Sequence, residues 1–200
     1  WTPEENGTTK LSYARTSKYD NLLRYEGYEL ILKILRYLYQ IDAYISIAEV
    51  ARERGFVFAE ALPLGGNILE IEGMFHPLIE NAIPNSIQAD AEHNVVFLTG
   101  ANMAGKATFM KTFGFLVYFA HMGFPLPVKK MRFSVQNGMY TTINLPDNMM
   151  LGYSHFYAEV QRLKKVAEQV GRIGNLVIVF DELFRGTNVK DAHEATLAVM

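Results

Sequence analysis

Apolar residues recur along the first quarter of the chain at steps of three and four: Leu22, Leu23, Tyr25, Tyr28, Ile31, Leu32, Leu35, Leu38, Tyr39 and then Ile45. That period predicts one or two long amphipathic helices from about Asp20 toward Arg54, with Gly55 as the stop, and it marks the stripe as packing surface rather than a cofactor site. Residues 1–19, polar and carrying Pro3 and Gly7, read as a loop or frayed lead-in. Beyond Gly55 the pattern shortens. Phe56–Pro63 and Asn67–Gly73 are strand-like runs split by Gly65-Gly66, and Val95–Leu98 is a third short apolar run that predicts a strand. The segment from Gly105 to about Met122 is apolar nearly all round, as in a helix packed on a central sheet. Phe133–Ile143 reads as strands around an Asn137-Gly138 turn. Phe156, Tyr157, Val160, Leu163, Val166, Ala167 and Val170 form one side of a helix for which Ser154 is a good N-cap. Leu176–Phe180 is a continuous apolar run suited to a parallel strand buried on both faces. Strands alternating with helices predict an α/β fold with a central, mostly parallel sheet and its ligand at the strand C-termini.

Chemistry concentrates where Val95–Leu98 gives way to Gly100-Ala101-Asn102-Met103-Ala104-Gly105-Lys106. The spacing G-x-x-x-x-G-K ahead of a helix matches a phosphate-binding loop. Its glycines let backbone N–H groups converge on phosphate oxygens, the lysine reaches the terminal phosphates, and the helix N-terminus adds partial positive charge. The position after the lysine, where a hydroxyl ordinarily ligates Mg²⁺, is Ala107, and a hydroxyl follows only at Thr108. The second half supplies the complement. The strand Leu176–Phe180 delivers Asp181 and Glu182, the first placed to hold Mg²⁺ directly or through water and the second to polarise an attacking water.

Composition adds bounds. Nineteen Lys plus Arg against 21 Asp plus Glu leave no basic field that would advertise nucleic acid. The absence of cysteine rules out a disulfide framework and fits a reducing cytoplasm. Glu29, Lys33, Arg36 and Asp42 interrupt the most apolar early window, so it reads as a helix outside any membrane. A start at Trp1 with no signal-type leader reads as a piece of something longer.

The series TGANMAGKATFMKT, GYSHFYAEV and VIVFDELFRGTN, with His76-Pro77 and Pro84-Asn85 ahead of the loop, resembles the ATPase domain of MutS-type DNA mismatch-repair proteins, of the ABC class of nucleotide-binding folds. The resemblance covers roughly Ile47–Met200. It implies a P-loop, ABC-type domain over residues 55–200, cut short on its C-terminal side, preceded by a helical segment 1–54 that ends the lever and core helices. It implies ATP and Mg²⁺ as cofactors, with Gly100, Ala101, Asn102, Met103, Ala104, Gly105, Lys106, Ala107 and Thr108 at the nucleotide. Lys106 then contacts the β- and γ-phosphates, Asp181 the metal, and Glu182 the attacking water. Ser154 approaches the nucleotide of the opposite subunit in a dimer of such domains, and Arg185-Gly186-Thr187-Asn188 resembles a turn reaching that partner. DNA is engaged through domains mostly outside this chain. His155 stands where the family more often has a small hydroxyl residue; it either sits near the γ-phosphate or simply faces solvent, the second being the preferred reading, and His76 reads as structural.

Three positions depart from the family pattern of Pro, Gly and Ser: Ala101, Ala104 and Ala107. Ala104 suffers if its backbone needs a positive φ. Ala107 removes a metal ligand, so nucleotide binding is expected to survive through the loop amides and Lys106 while Mg²⁺-dependent hydrolysis weakens. The implied function is an ATPase coupling nucleotide state to DNA binding in mismatch repair. The alternatives are a nucleotide-gated switch with hydrolysis weak or lost, and a paralogue acting on recombination intermediates.

Overall fold

The computed structural model describes residues 12–143, 155–181, 183–184 and 188–199. The chain divides into two compact units, Trp1–Glu49 and Val50–Met200. In the first, α1 (Tyr13–Asn21) passes through a π-helical turn (Leu22–Glu26) and Gly27 into α2 (Tyr28–Arg54), whose last five residues belong to the second unit. Helix therefore begins seven residues before Asp20, inside the segment expected to be a loop. Its sequence, YARTSKYDN, is polar and buries nothing, so hydrophobic period could not reveal it; local bonds such as Thr16 Oγ1 to the Ser12 carbonyl (3.2 Å) support it instead. None of α2 is buried among the described residues, although most of its residues are apolar and only one face carries the run Glu29, Lys33, Arg36 and Gln40. No described helix is long and apolar enough to cross a membrane.

The second unit is α/β. Four strands, β1 (Glu60–Leu62), β2 (Leu69–Met74), β3 (Asn85–Ala89) and β4 (Lys130–Ser134), form a sheet in the order β1-β4-β2-β3. Alternation along β2 and β4 sends Ile71, Met131 and Phe133 inward and Glu70, Glu72, Lys130 and Arg132 outward. On the outer face Arg132 bonds Glu60 (3.0 Å) and Glu70 (3.2 Å), and Glu60 foremost raises the guanidinium above its ordinary range. Lys129 pairs with Glu72 beside them. A second sheet holds β5 (Gly138–Thr141) and β6 (Leu176–Val179), paired in parallel from Gly138 opposite Leu176.

The four-stranded sheet is mixed rather than mostly parallel, because β2 runs antiparallel to both β3 and β4 and only β1–β4 is parallel. Two further expectations are corrected. Val95–Leu98 joins no ladder and lies 38–63 % exposed: no described strand runs alongside to take its backbone bonds. The strands flanking Asn137-Gly138 do not pair as a hairpin. Asn137 instead ties their connection to the end of α4 (His155–Ile173), its N–H donating to Asn175 O (2.8 Å) and its amide to the Ile173 and Gly174 carbonyls (both 3.2 Å), which aligns β5 on β6.

Helix α3 (Lys106–His121) lies at the centre of the core. Leu116, Val117 and Ala120 are buried with Ile71, Met74, Leu126, Val128, Met131 and Phe133, and Met139 of β5 and Val177 of β6 pack against the same cluster. Only Ala107, Lys111, Tyr118 and His121 of α3 are exposed, a narrow stripe on a helix that is covered most of the way round, as its all-round apolar sequence predicts.

A tight corner precedes β2. A Cβ on Gly66 would stand 2.7 Å from the Oγ of buried Ser134, which accepts the Ile68 N–H at 3.1 Å. Gly66→Ala is expected to lower stability in urea unfolding by about 1–3 kcal/mol through overpacking. Combining it with Ser134→Ala should cost less than the sum of the two single changes, because the clash is then gone.

Candidate functional site

The loop ahead of α3 is shaped by two left-handed residues. Gly105, φ 92°, is the N-cap of α3, and Met103 takes φ 66°; Ala104 between them does not need a positive φ, so its methyl is tolerated. The Ala104 N–H closes a turn onto Ala101 O (3.2 Å), and the Phe109 N–H begins the helical ladder on Gly105 O (2.9 Å). With glycine as N-cap no side chain caps the helix, and the leading N–H groups of α3 have no acceptor within it. Those groups and the helix dipole form a place for an anion. Lys106 folds back over the loop, its Nζ donating to Gly100 O (2.6 Å) and Ala101 O (2.9 Å). Gly100 to Gly105 are exposed, as is Ala107, while Lys106 and Thr108 are half-buried.

Upstream, Asp90 shapes the approach to the loop. Its carboxylate accepts the N–H groups of His93 (2.7 Å) and Glu92 (2.8 Å), and these bonds, His93 first, hold it below the usual carboxylate range. His76, expected to be structural, takes the Leu78 N–H on Nδ1 (3.3 Å) and meets the Phe115 ring edge-on.

Asp181 stands two residues beyond the end of β6, after Phe180, and is partly buried. Its N–H donates to Thr142 Oγ1 (3.4 Å), while the Thr142 N–H extends the β5–β6 ladder to Val179 O (2.9 Å). Thr142 thus positions the end of the strand that carries the acid. Nothing in its spacing marked it, since the tie depends on β5 pairing with β6. Among the described residues no hydrogen bond or ion pair joins Lys106 to Asp181, and no group of three His, Asp or Glu forms a metal cluster. Glu182, Ser154 and Arg185-Gly186-Thr187 lie outside the described residues.

Asn188, the last residue of that turn, caps α5 (Val189–Val199). Its Oδ1 accepts the Asp191 N–H (2.9 Å), and its carbonyl accepts the Ala192 N–H (3.0 Å). Phe184 is buried with φ 63°, a conformation that strains any bulky side chain, and the sequence carried no sign of it.

Residues 96–200, more than half of the chain, match the family model for MutS domain V. The chain belongs to the MutS family. Its loop, α3, β6 and Asp181 all fall inside the matched stretch. The chain is 30% identical over 174 residues to a DNA mismatch repair protein MutS of Thermus aquaticus, covering 86% of this chain and 20% of that protein. It is 31% identical over 165 residues to one of Desulforamulus reducens (79% and 18%) and 31% over 159 residues to DNA mismatch repair protein MutS 1 of Halobacterium salinarum (78% and 18%). The chain thus spans about a fifth of the length of these MutS relatives.

Thr142→Val keeps the shape of the side chain and removes the oxygen that receives the Asp181 N–H. Urea unfolding should show a loss of about 0.5–1.5 kcal/mol, the usual net contribution of one hydrogen bond.

Proposed function

We propose that this MutS-family chain is the ATP-binding domain of a MutS-like DNA mismatch-repair protein, coupling nucleotide state to DNA binding. The observation that carries the reading is the phosphate-type loop at the glycine-capped start of α3, with Lys106 already folded across it. The leading amides of α3 hold the phosphates, and Lys106 exchanges its two carbonyl contacts for β- and γ-phosphate oxygens. Asp181 is the acid for Mg²⁺, which when bound supplies charge neutralisation between those phosphates. The donor set fits such an ion: one carboxylate with phosphate oxygens and waters is the ordinary way Mg²⁺ is held, and no protein cage is required. Glu182 polarises the attacking water, and Ser154 completes the site on a second subunit, so that a dimer of these domains is the working unit. DNA is contacted by other parts of a longer cytoplasmic protein.

Ala107 favours a second version of this reading. It offers no side-chain oxygen at the start of α3, where the usual hydroxyl would be a metal ligand, and among the described residues no group of three His, Asp or Glu makes good the loss. Nucleotide binding is then retained and hydrolysis is slow or lost, which makes the domain a nucleotide-gated switch.

A fluorescent ATP analogue titrated into the full-length protein tests both versions. Binding should be saturable, and Lys106→Met should weaken it at least about tenfold, equivalent to roughly 1.4 kcal/mol. No binding, or binding indifferent to Lys106, would remove the nucleotide reading. Ala107→Ser should raise Mg²⁺-dependent phosphate release, by about tenfold or more if a metal ligand has been restored. An unchanged rate would show that the missing hydroxyl does not limit turnover.

A further inference from the structure

We propose that Met103 is a peroxide-sensitive modification site, oxidation of whose thioether weakens nucleotide binding at the loop; the inference rests on the nucleotide reading above. Met103 is fully solvent-exposed at the tip of the loop, three residues before Lys106, on a left-handed backbone that turns its side chain away from any packing partner. The other described methionines are better protected: Met74 and Met131 are 1 % exposed in the core, Met110 and Met139 are partly covered, and Met122 is about half exposed. The chain has no cysteine, so no thiol of its own competes for an oxidant.

The reaction is a two-electron oxygen transfer. The Met103 sulfur takes one oxygen from hydrogen peroxide, the O–O bond breaks, and the products are methionine sulfoxide and water. A flexible apolar tip becomes a polar one whose oxygen is a strong acceptor with partial negative charge. It then sits on the loop directly ahead of α3, the helix whose leading N–H groups must be left open for phosphate. The sulfoxide competes for those donors and repels the phosphate oxygens that would replace it. The change is reversible by methionine sulfoxide reductase, at the expense of a dithiol that becomes a disulfide.

The test treats the full-length protein briefly with dilute hydrogen peroxide, follows each methionine by peptide mass mapping, and titrates the fluorescent ATP analogue before and after. Met103 should be converted well ahead of Met74 and Met131. The dissociation constant should rise about threefold or more and return after reductase treatment. In Met103→Leu, whatever its starting affinity, the ratio of dissociation constants after and before peroxide should stay near one. Oxidation of Met103 no faster than of the buried pair would overturn the inference, and so would an equal loss of affinity in Met103→Leu. Binding that survives full conversion of Met103 overturns it alone. Failure of the untreated protein to bind the analogue overturns the nucleotide reading beneath it.

Discussion

Leu116, Val117 and Ala120 of α3 are buried against Ile71, Met131 and Phe133 of the mixed sheet, while Met139 and Val177 of the parallel pair join the same cluster. One helix is therefore the common floor of both sheets. Its axial position is set by that packing, and so is the place where its N-terminus emerges. The buried face leaves the start of the helix to polar chemistry: a glycine N-cap, no capping side chain, and leading amides without an acceptor in the helix. Removing apolar surface from water fixes the helix, and the electrostatics of its end follow from where it stops.

The loop in front of that helix is sparing in its use of glycine. Gly105 and Met103 take up left-handed backbone and Gly100 a positive φ of 159°, while Ala104 escapes the constraint. Lys106 spans the loop by donating to two of its carbonyls, Gly100 O and Ala101 O, which ties the start of the loop to the start of α3. Positive charge at Nζ and at the helix end lie close together, and the exposed carbonyls temper it until an anion does so better. On the nucleotide reading proposed above, Ala107 is a local loss on the metal side that leaves the anion side intact. Membership of the MutS family and departure from the residues expected here are then compatible, because that reading assigns different atoms to phosphate and metal.

A good deal of this was legible in the residues. The glycine-spaced loop and the apolar run after it announced α3 to within a residue or two, and the continuous apolar run of β6 announced a parallel strand that stops two residues before Asp181. Both signals are local: glycine spacing and β-branched content act within a few residues of the feature they form. What escaped was either featureless or non-local. The polar start of α1 has no apolar period to read. Val95–Leu98 has the composition of a strand, yet a strand exists only where a neighbour supplies hydrogen bonds, and none of the described strands does. The Asn137-Gly138 turn looked like a hairpin, but Asn137 spends its donors on the end of α4, and β5 takes β6 as partner.

The sequence by itself determined the elements whose causes lie within a turn or two of chain: the glycine-capped loop, the amphipathic α4, the β6 run and the acid at its end. Tertiary structure alone decided the pairings. It put β4 between β1 and β2, made the sheet mixed, tied Asp181 to Thr142 across two strands, and buried Phe184 in a conformation its residue type disfavours. The physical reason is the range of the forces involved. Backbone propensity and capping act along the chain, whereas strand pairing and burial depend on surfaces brought together from residues as far apart as Ile71 and Phe133.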